Sequence, residues 1–143
     1  MEIIKLHPDL IAPTRGTDGA AGYDLYMPES GDTLTNGGKT ALVGLGFKCK
    51  VPAGHVALIL PRSSSGVKAG LFLGNTVGVI DSDYEGEWKV NMHSRYATQV
   101  EWDAGDRLFQ FVVVPIATPE LKFVDQFSES SARGTGGFGH TGQ

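Results

Sequence analysis

The chain has 143 residues, the size of one domain, and is long enough to bury a real core. Its formal charge is −4 and its 12 basic residues are not run together, which disfavours a nucleic-acid binder but leaves room for a small anion held by two or three arginines. Cys49 is the only cysteine, so no intrachain disulfide can form; no apolar stretch approaches the roughly 20 residues of a membrane span, and Met1–Leu6 lacks a signal-peptide core, so the expected setting is the cytoplasm, or the host cytoplasm for a viral protein.

Glu2–Leu6 reads as a short strand, and Ala21-Gly22-Tyr23-Asp24-Leu25-Tyr26 as a turn feeding the strand Tyr23–Tyr26, which carries one carboxylate. In Ala41–Val51 the odd positions Ala41, Val43, Leu45, Phe47, Cys49 and Val51 are all apolar, while Lys48 and Lys50 face the other way. This period of two predicts a half-buried strand with Cys49 turned inward as a structural residue. His55–Leu60 reads as a more fully buried strand. After it, Pro61-Arg62-Ser63-Ser64-Ser65-Gly66 allows a helix of one or two turns through Lys68, capped by Ser63 or Ser64. The same hydroxyls and N–H groups, with the Arg62 fork, would equally suit an anion.

Gly74-Asn75-Thr76-Val77-Gly78-Val79-Ile80-Asp81-Ser82-Asp83-Tyr84-Glu85-Gly86 reads as two strand pieces folded back on each other, the second over Val77–Ile80. Gly74 and Gly78 would let backbone approach a ligand, and Asn75 offers both a donor and an acceptor. Asp81 follows the apolar run and so sits at a strand end beside a packed wall. Trp88–His93 alternates again, with Trp88, Val90 and Met92 inward; Val100–Trp102 is a shorter strand. Gly105-Asp106-Arg107-Leu108-Phe109-Gln110 is a turn entering the buried strand Leu108–Ile116, and Leu121–Val124 reads as one more strand. From Ser128 to Gln143 only Ala132 and Phe138 are apolar, too few to build a core. That segment is either a disordered terminus or an arm that closes on a ligand through Arg133 and Phe138.

No segment sustains a helical apolar period, and many short strands are punctuated by Gly, Pro and Asp turns. The expected fold is all-β: an antiparallel jelly-roll-like β-sandwich or barrel with at most one short helix and a flexible glycine-rich C-terminal tail. The expected organisation is a β domain over 1–127 and an arm over 128–143. There is no G-x-x-x-x-G-K-[ST] for a P-loop, and the tail glycines do not stand between a strand and a helix as a dinucleotide fingerprint requires. One cysteine and the scattered His7, His55, His93 and His140 give no zinc spacing; these histidines are expected on the surface, solvated or hydrogen-bonded, with His140 the exception.

In their order, the segments Ala21–Tyr26, Pro61–Gly66, Gly74–Gly86, Gly105–Gln110 and Arg133–Gly142 resemble the five motifs of the homotrimeric deoxyuridine triphosphate nucleotidohydrolases, the dUTPases. The resemblance spans nearly the whole chain, and the third motif with the tail Arg133-Gly134-Thr135-Gly136-Gly137-Phe138-Gly139 is its most specific part. It implies hydrolysis of dUTP to dUMP and pyrophosphate, with Mg²⁺ as cofactor. Asp24 would help position the metal-bound triphosphate indirectly, through water. Arg62 and Ser63 would bind the phosphate chain, with Ser64 and Gly66 lining the same site. Asn75 and the nearby backbone of Gly78, Val79 and Ile80 would read the uracil edge, and Tyr84 would pack on the deoxyribose and exclude a 2′-hydroxyl.

The resemblance further implies that Asp81 holds and activates the water that attacks the α-phosphorus in line. Arg107 and Gln110 would support phosphate and metal-bound water. In the tail, Arg133 would reach the γ-phosphate, Phe138 would stack on uracil, and Gly139, His140 and Thr141 would touch phosphates. A homotrimer with active sites shared at subunit junctions is implied as well, with no nucleic-acid or membrane partner. Two features depart from the motifs: His140 stands where many relatives carry Ser, and Trp88–Asp103 fits none of the five, its aromatics being core or subunit-contact residues. The rival readings are a deoxycytidine triphosphate deaminase on the same fold and a regulatory module that keeps the nucleotide site. The tail and Asp81-Ser82-Asp83-Tyr84 favour the hydrolase over the deaminase.

Overall fold

The structure, a computed structural model, describes residues 1–33, 41–95 and 99–135. Its strands are β1 (Ile3–Lys5), β2 (Tyr23–Tyr26), β3 (Gly31–Asp32), β4 (Ala41–Gly44), β5 (Phe47–Cys49) and β6 (His55–Pro61), then β7 (Leu71–Leu73), β8 (Gly78–Ile80), β9 (Lys89–Ser94), β10 (Glu101–Trp102) and β11 (Arg107–Pro115). The helix α1 (Ser63–Ala69) follows β6. Every ladder is antiparallel. A four-stranded sheet runs β2-β11-β6-β8, a three-stranded sheet runs β4-β9-β7, and β1-β5 and β10-β3 form two ribbons. The fold is all-β with one short helix, as the turn spacing and the missing helical period lead one to expect.

The core lies between these sheets. Leu25, Ile59, Phe109 and Phe111 point into it from the large sheet, Leu71, Leu73, Val90 and Met92 from the smaller one, and Phe47 from a ribbon. Trp88 is fully buried; its ring packs on Phe47 at 5.3 Å and edge-on against Phe111 at 5.1 Å, and its indole N–H donates to the Cys49 carbonyl at 3.2 Å. Burial pushes the Cys49 thiol above its ordinary pKa, the state of an inert structural cysteine.

Several elements depart from the sequence reading. Ala41–Val51 is not one strand: β4 pairs with β9 and β5 with β1, and the chain changes sheets at Gly46. Gly46 has φ 72, a left-handed conformation that glycine adopts without the Cβ clash, and the inward parity of Leu45, Phe47, Cys49 and Val51 survives the turn. β7 and β8 do not fold back on each other; β7 pairs with β9 and β8 with β6, so the third motif joins the two sheets. The helix has Arg62 as its N-cap residue and no side-chain cap from Ser63 or Ser64. Ser65 is instead the buried serine, and its hydroxyl donates to the Leu108 carbonyl at 2.7 Å.

Leu121–Val124 forms no strand, and Leu121, Phe123, Val124 and Phe127 are exposed. Pro115 and Pro119 flank the point where this segment leaves the sheet, and neither can donate to a ladder. β6 and β11 are less buried than their unbroken apolar runs suggest. Leu58 and Leu60 on β6 and Val112 and Val114 on β11 are half-buried, because only one face of the sheet packs on the core. His93 is half-buried as well, its ring 4.9 Å from that of Phe72.

Candidate active site

The large sheet presents two polar hollows, one at each edge. At the β2 edge, Leu25 turns into the core, so its neighbour Asp24 must turn to the outer face. Asp24 is nevertheless only 8% exposed, because two arginines cover it. Arg62, at the end of β6, places Nε 2.9 Å from Asp24 Oδ1, and Arg107, at the start of β11, donates from Nη1 to Asp24 Oδ2 at 3.1 Å. A second nitrogen of Arg62, Nη1, donates to the Arg107 carbonyl at 3.1 Å. Three segments far apart in sequence are thereby locked at one point. One carboxylate faces two guanidinium groups, so the cluster carries a surplus positive charge.

Asp24, Arg62, Ser63 and Gln110 line one cleft of about 500 Å³. Gln110 enters it because Asp24, Gln110 and Leu60 are register partners across three strands and so share the outer face. The Gln110 amide lies over Gly22: a Cβ there would come 2.6 Å from its Oε1. The other walls include Gly16, Thr17 and Ala20, which the sequence reading did not single out, and Ala21, which it placed in the first motif; the register of Asp24 with Thr14 brings that loop alongside. Ser64 and Gly66 lie further along α1 and do not line the cleft.

At the β8 edge, Val79, Ile80, Asp81 and Tyr84 line a smaller hollow of about 150 Å³ with Glu87 and Lys89. Asp81 is exposed, one residue beyond the strand end, as its place after the apolar run led us to expect. Asn75 lies in the connection that leads into β8, and Gly78 is the strand's first residue; Asn75 is exposed, and its carbonyl accepts from the Val77 N–H at 2.7 Å. The two hollows are separate within one chain. β11 and β6 lie between β2 and β8, three strand spacings or roughly 14 Å. By register Asp81 also lies about four residues, or roughly 13 Å, along the sheet from Asp24. Arg133 is exposed in a turn closed by Gly134 N–H to the Ser131 carbonyl at 3.1 Å. Phe138, Gly139, His140 and Thr141 lie outside the described residues.

Chemically, the first hollow suits a polyanion: fixed guanidinium groups, a hydroxyl and an amide on rigid strands, with a net positive charge. Its donor set does not suit a metal cage. Both Asp24 oxygens are already engaged by arginines, and among the described residues no three His, Cys, Asp or Glu side chains converge. It does fit a hydrated Mg²⁺ brought by a phosphate ligand, an ion that keeps several waters and needs few protein ligands.

Comparison with known proteins matches residues 9–142 to the dUTPase family model. The deoxyuridine 5'-triphosphate nucleotidohydrolase of Psychrobacter arcticus is 45% identical over 132 residues, covering 92% of this chain and 86% of its own. That of Pseudomonas syringae pv. tomato is 45% identical over 131 residues, covering 91% and 86%. The dUTPase of Staphylococcus bacteriophage 80alpha, solved with dUPNHPP, superposes with a TM-score of 0.88 at 26% identity over 99% of this chain and 98% of its own. A mutant dUTPase from phage phi11 of S. aureus, a structure concerned with the coordination of a structural Mg(II) ion, gives 0.78 at 25% identity over 90% and 98%.

Proposed function

The chain belongs to the dUTPase family and hydrolyses dUTP, and from that premise we propose how its residues divide the work. The β2-edge cluster is the phosphate site. Arg62, Arg107 and Ser63 take the triphosphate oxygens, and Gln110 orients water beside them. Asp24 keeps both guanidinium groups aimed and would help position a Mg²⁺ carried by the triphosphate, through water. The β8-edge hollow is the nucleoside and water site. Asn75 and the backbone of Gly78, Val79 and Ile80 read uracil, and Tyr84 forms the wall against deoxyribose.

Asp81 holds the attacking water and takes its proton as the water oxygen bonds to the α-phosphorus in line. The bond from that phosphorus to the bridging oxygen breaks, leaving dUMP and pyrophosphate. Mg²⁺ on the triphosphate, when bound, neutralises the charge that develops on the leaving group. The protein's part is positioning and charge compensation, with no covalent nucleophile.

The separation of Asp81 from the Arg62–Asp24–Arg107 cluster carries this reading one step further. Hollows this far apart in one chain cannot both reach one α-phosphorus, so each site takes its two halves from different copies. A homotrimer supplies them. The outer face of the large sheet supports it, since Leu58, Leu60, Val112, Val114 and Val79 leave apolar surface uncovered there. The segment beyond β11, with Leu121, Phe123 and Phe127 exposed, has the composition of a strap that docks on a neighbouring copy. Residues 128–143 then form the arm over the nucleotide, with Arg133 on the γ-phosphate, Phe138 on uracil, and Gly139, His140 and Thr141 on phosphates.

A panel of dUTP, dCTP, dTTP and UTP, scored for pyrophosphate with and without Mg²⁺, tests the assignment. Pyrophosphate from dUTP alone, dependent on Mg²⁺, is the expected result. Ammonia from dCTP without pyrophosphate would overturn it.

A further inference from the structure

Tyr84 stands in the loop between β8 and β9, and where its ring lies depends on the backbone behind it. Its hydroxyl donates to the Glu87 carbonyl at 3.0 Å, which folds the ring back across Gly86. A Cβ on Gly86 would fall on the Tyr84 hydroxyl oxygen, 2.5 Å from Cζ and 2.9 Å from Cε2, closer than carbon atoms approach. The residues on either side of Gly86 are fastened. Glu85 Oε1 accepts from Lys50 Nζ at 2.8 Å, and Glu87 Oε1 accepts from the Gly46 N–H at 3.1 Å. The Lys50 hydrogen bond holds the Glu85 carboxyl below its ordinary range, and the same bond raises the lysine. One residue further, the N–H of buried Trp88 donates to the Phe47 carbonyl at 3.0 Å. The backbone is therefore tied, while the Tyr84 ring is 42% exposed and held through its hydroxyl. A methyl group on Gly86 would act on the ring and not on the fold.

We propose that Gly86 is a specificity-determining position that acts through Tyr84, because its missing side chain is the space in which the ring lies as the wall of the sugar pocket. The inference rests on the reading of Tyr84 as that wall. With the ring displaced, the pocket gains room beside the sugar, and a 2′-hydroxyl no longer meets a fixed surface. The Lys50–Glu85 pair links the same loop to the residue that follows β5.

The test is kcat/KM for dUTP and for UTP in the wild type, Gly86→Ala, Tyr84→Ala and the double variant. A wild type that shows no preference for dUTP over UTP would refute the Tyr84 reading itself, before Gly86 comes into question. Given that preference, Gly86→Ala is expected to lower the dUTP-to-UTP ratio by about tenfold. Adding Gly86→Ala to Tyr84→Ala is expected to leave the ratio within about twofold, since no ring remains to be moved. A purely structural role would depress both substrates alike and leave the ratio untouched. The wild-type ratio in Gly86→Ala, or a further fall of the ratio in the double variant, would overturn the proposal. Should Gly86→Ala alone not fold, the double variant decides, because the space vacated by the ring accepts the methyl. It must then fold and match Tyr84→Ala, and failure to do so would count against the inference.

Discussion

A carboxylate as buried as Asp24 is stable only when paired, and it has an arginine on each oxygen. The arrangement fixes two flexible side chains before any ligand arrives, which would lower the entropy cost of the phosphate binding proposed for them. Asp24→Asn would retain one acceptor but turn an NH₂ group toward a guanidinium, so one arginine would lose its anchor. The expected outcome is a fall of about 10²-fold in kcat/KM, the scale on which small misplacements act. Steady-state kinetics beside a circular dichroism spectrum would check it; a change under about twofold would mean the pairing is incidental. At this scale the sequence was only partly legible. Asp24 stands in a motif, but Arg107 is 83 residues away, and no local pattern tells that the two meet. The three serines of Ser63–Ser65 look alike in sequence. Which one is buried follows from the packing of α1 on β11, and that is Ser65.

Among the elements, parity was the most legible feature. Trp88, Val90 and Met92 are inward as their alternation demands, and so are Phe47, Cys49 and Val51. Pairing was not legible, because a ladder needs a partner whose identity lies elsewhere in the chain. Leu121–Val124 has strand composition and no described partner, and Ala41–Val51 has one alternation shared between the smaller sheet and the β1-β5 ribbon. Trp88 holds those pieces together. It follows the loop of the third motif, touches Phe47 and Phe111, and satisfies the Cys49 carbonyl. Trp88→Ala is expected to cost about 3–5 kcal/mol in chemical denaturation, from the lost burial, the cavity and the orphaned carbonyl. A loss below about 1 kcal/mol would show that the sheets repack without it.

On the scale of the whole molecule, the two halves proposed for the active site lie apart within one chain. The cation cluster lies at one edge of the large sheet and Asp81 at the other, with two strands between. β6 and β11 also carry apolar residues on the outer face, Leu58, Leu60, Val112 and Val114, which a single chain leaves half-buried, and the proposed trimer would cover them with another copy. The long apolar runs therefore overstate the burial: the chain buries one face of these strands and leaves the other half-buried. The most direct measurement is complementation between two inactive variants, Arg62→Ala and Asp81→Asn, each shown to be folded and then refolded together in equal amounts. If each site draws the cluster from one copy and Asp81 from another, about a quarter of the sites in the mixture are intact by random assortment. Pyrophosphate release from dUTP should return to about that fraction of the wild type. A mixture no more active than the sum of its separate components would contradict the shared site and place both halves within one chain.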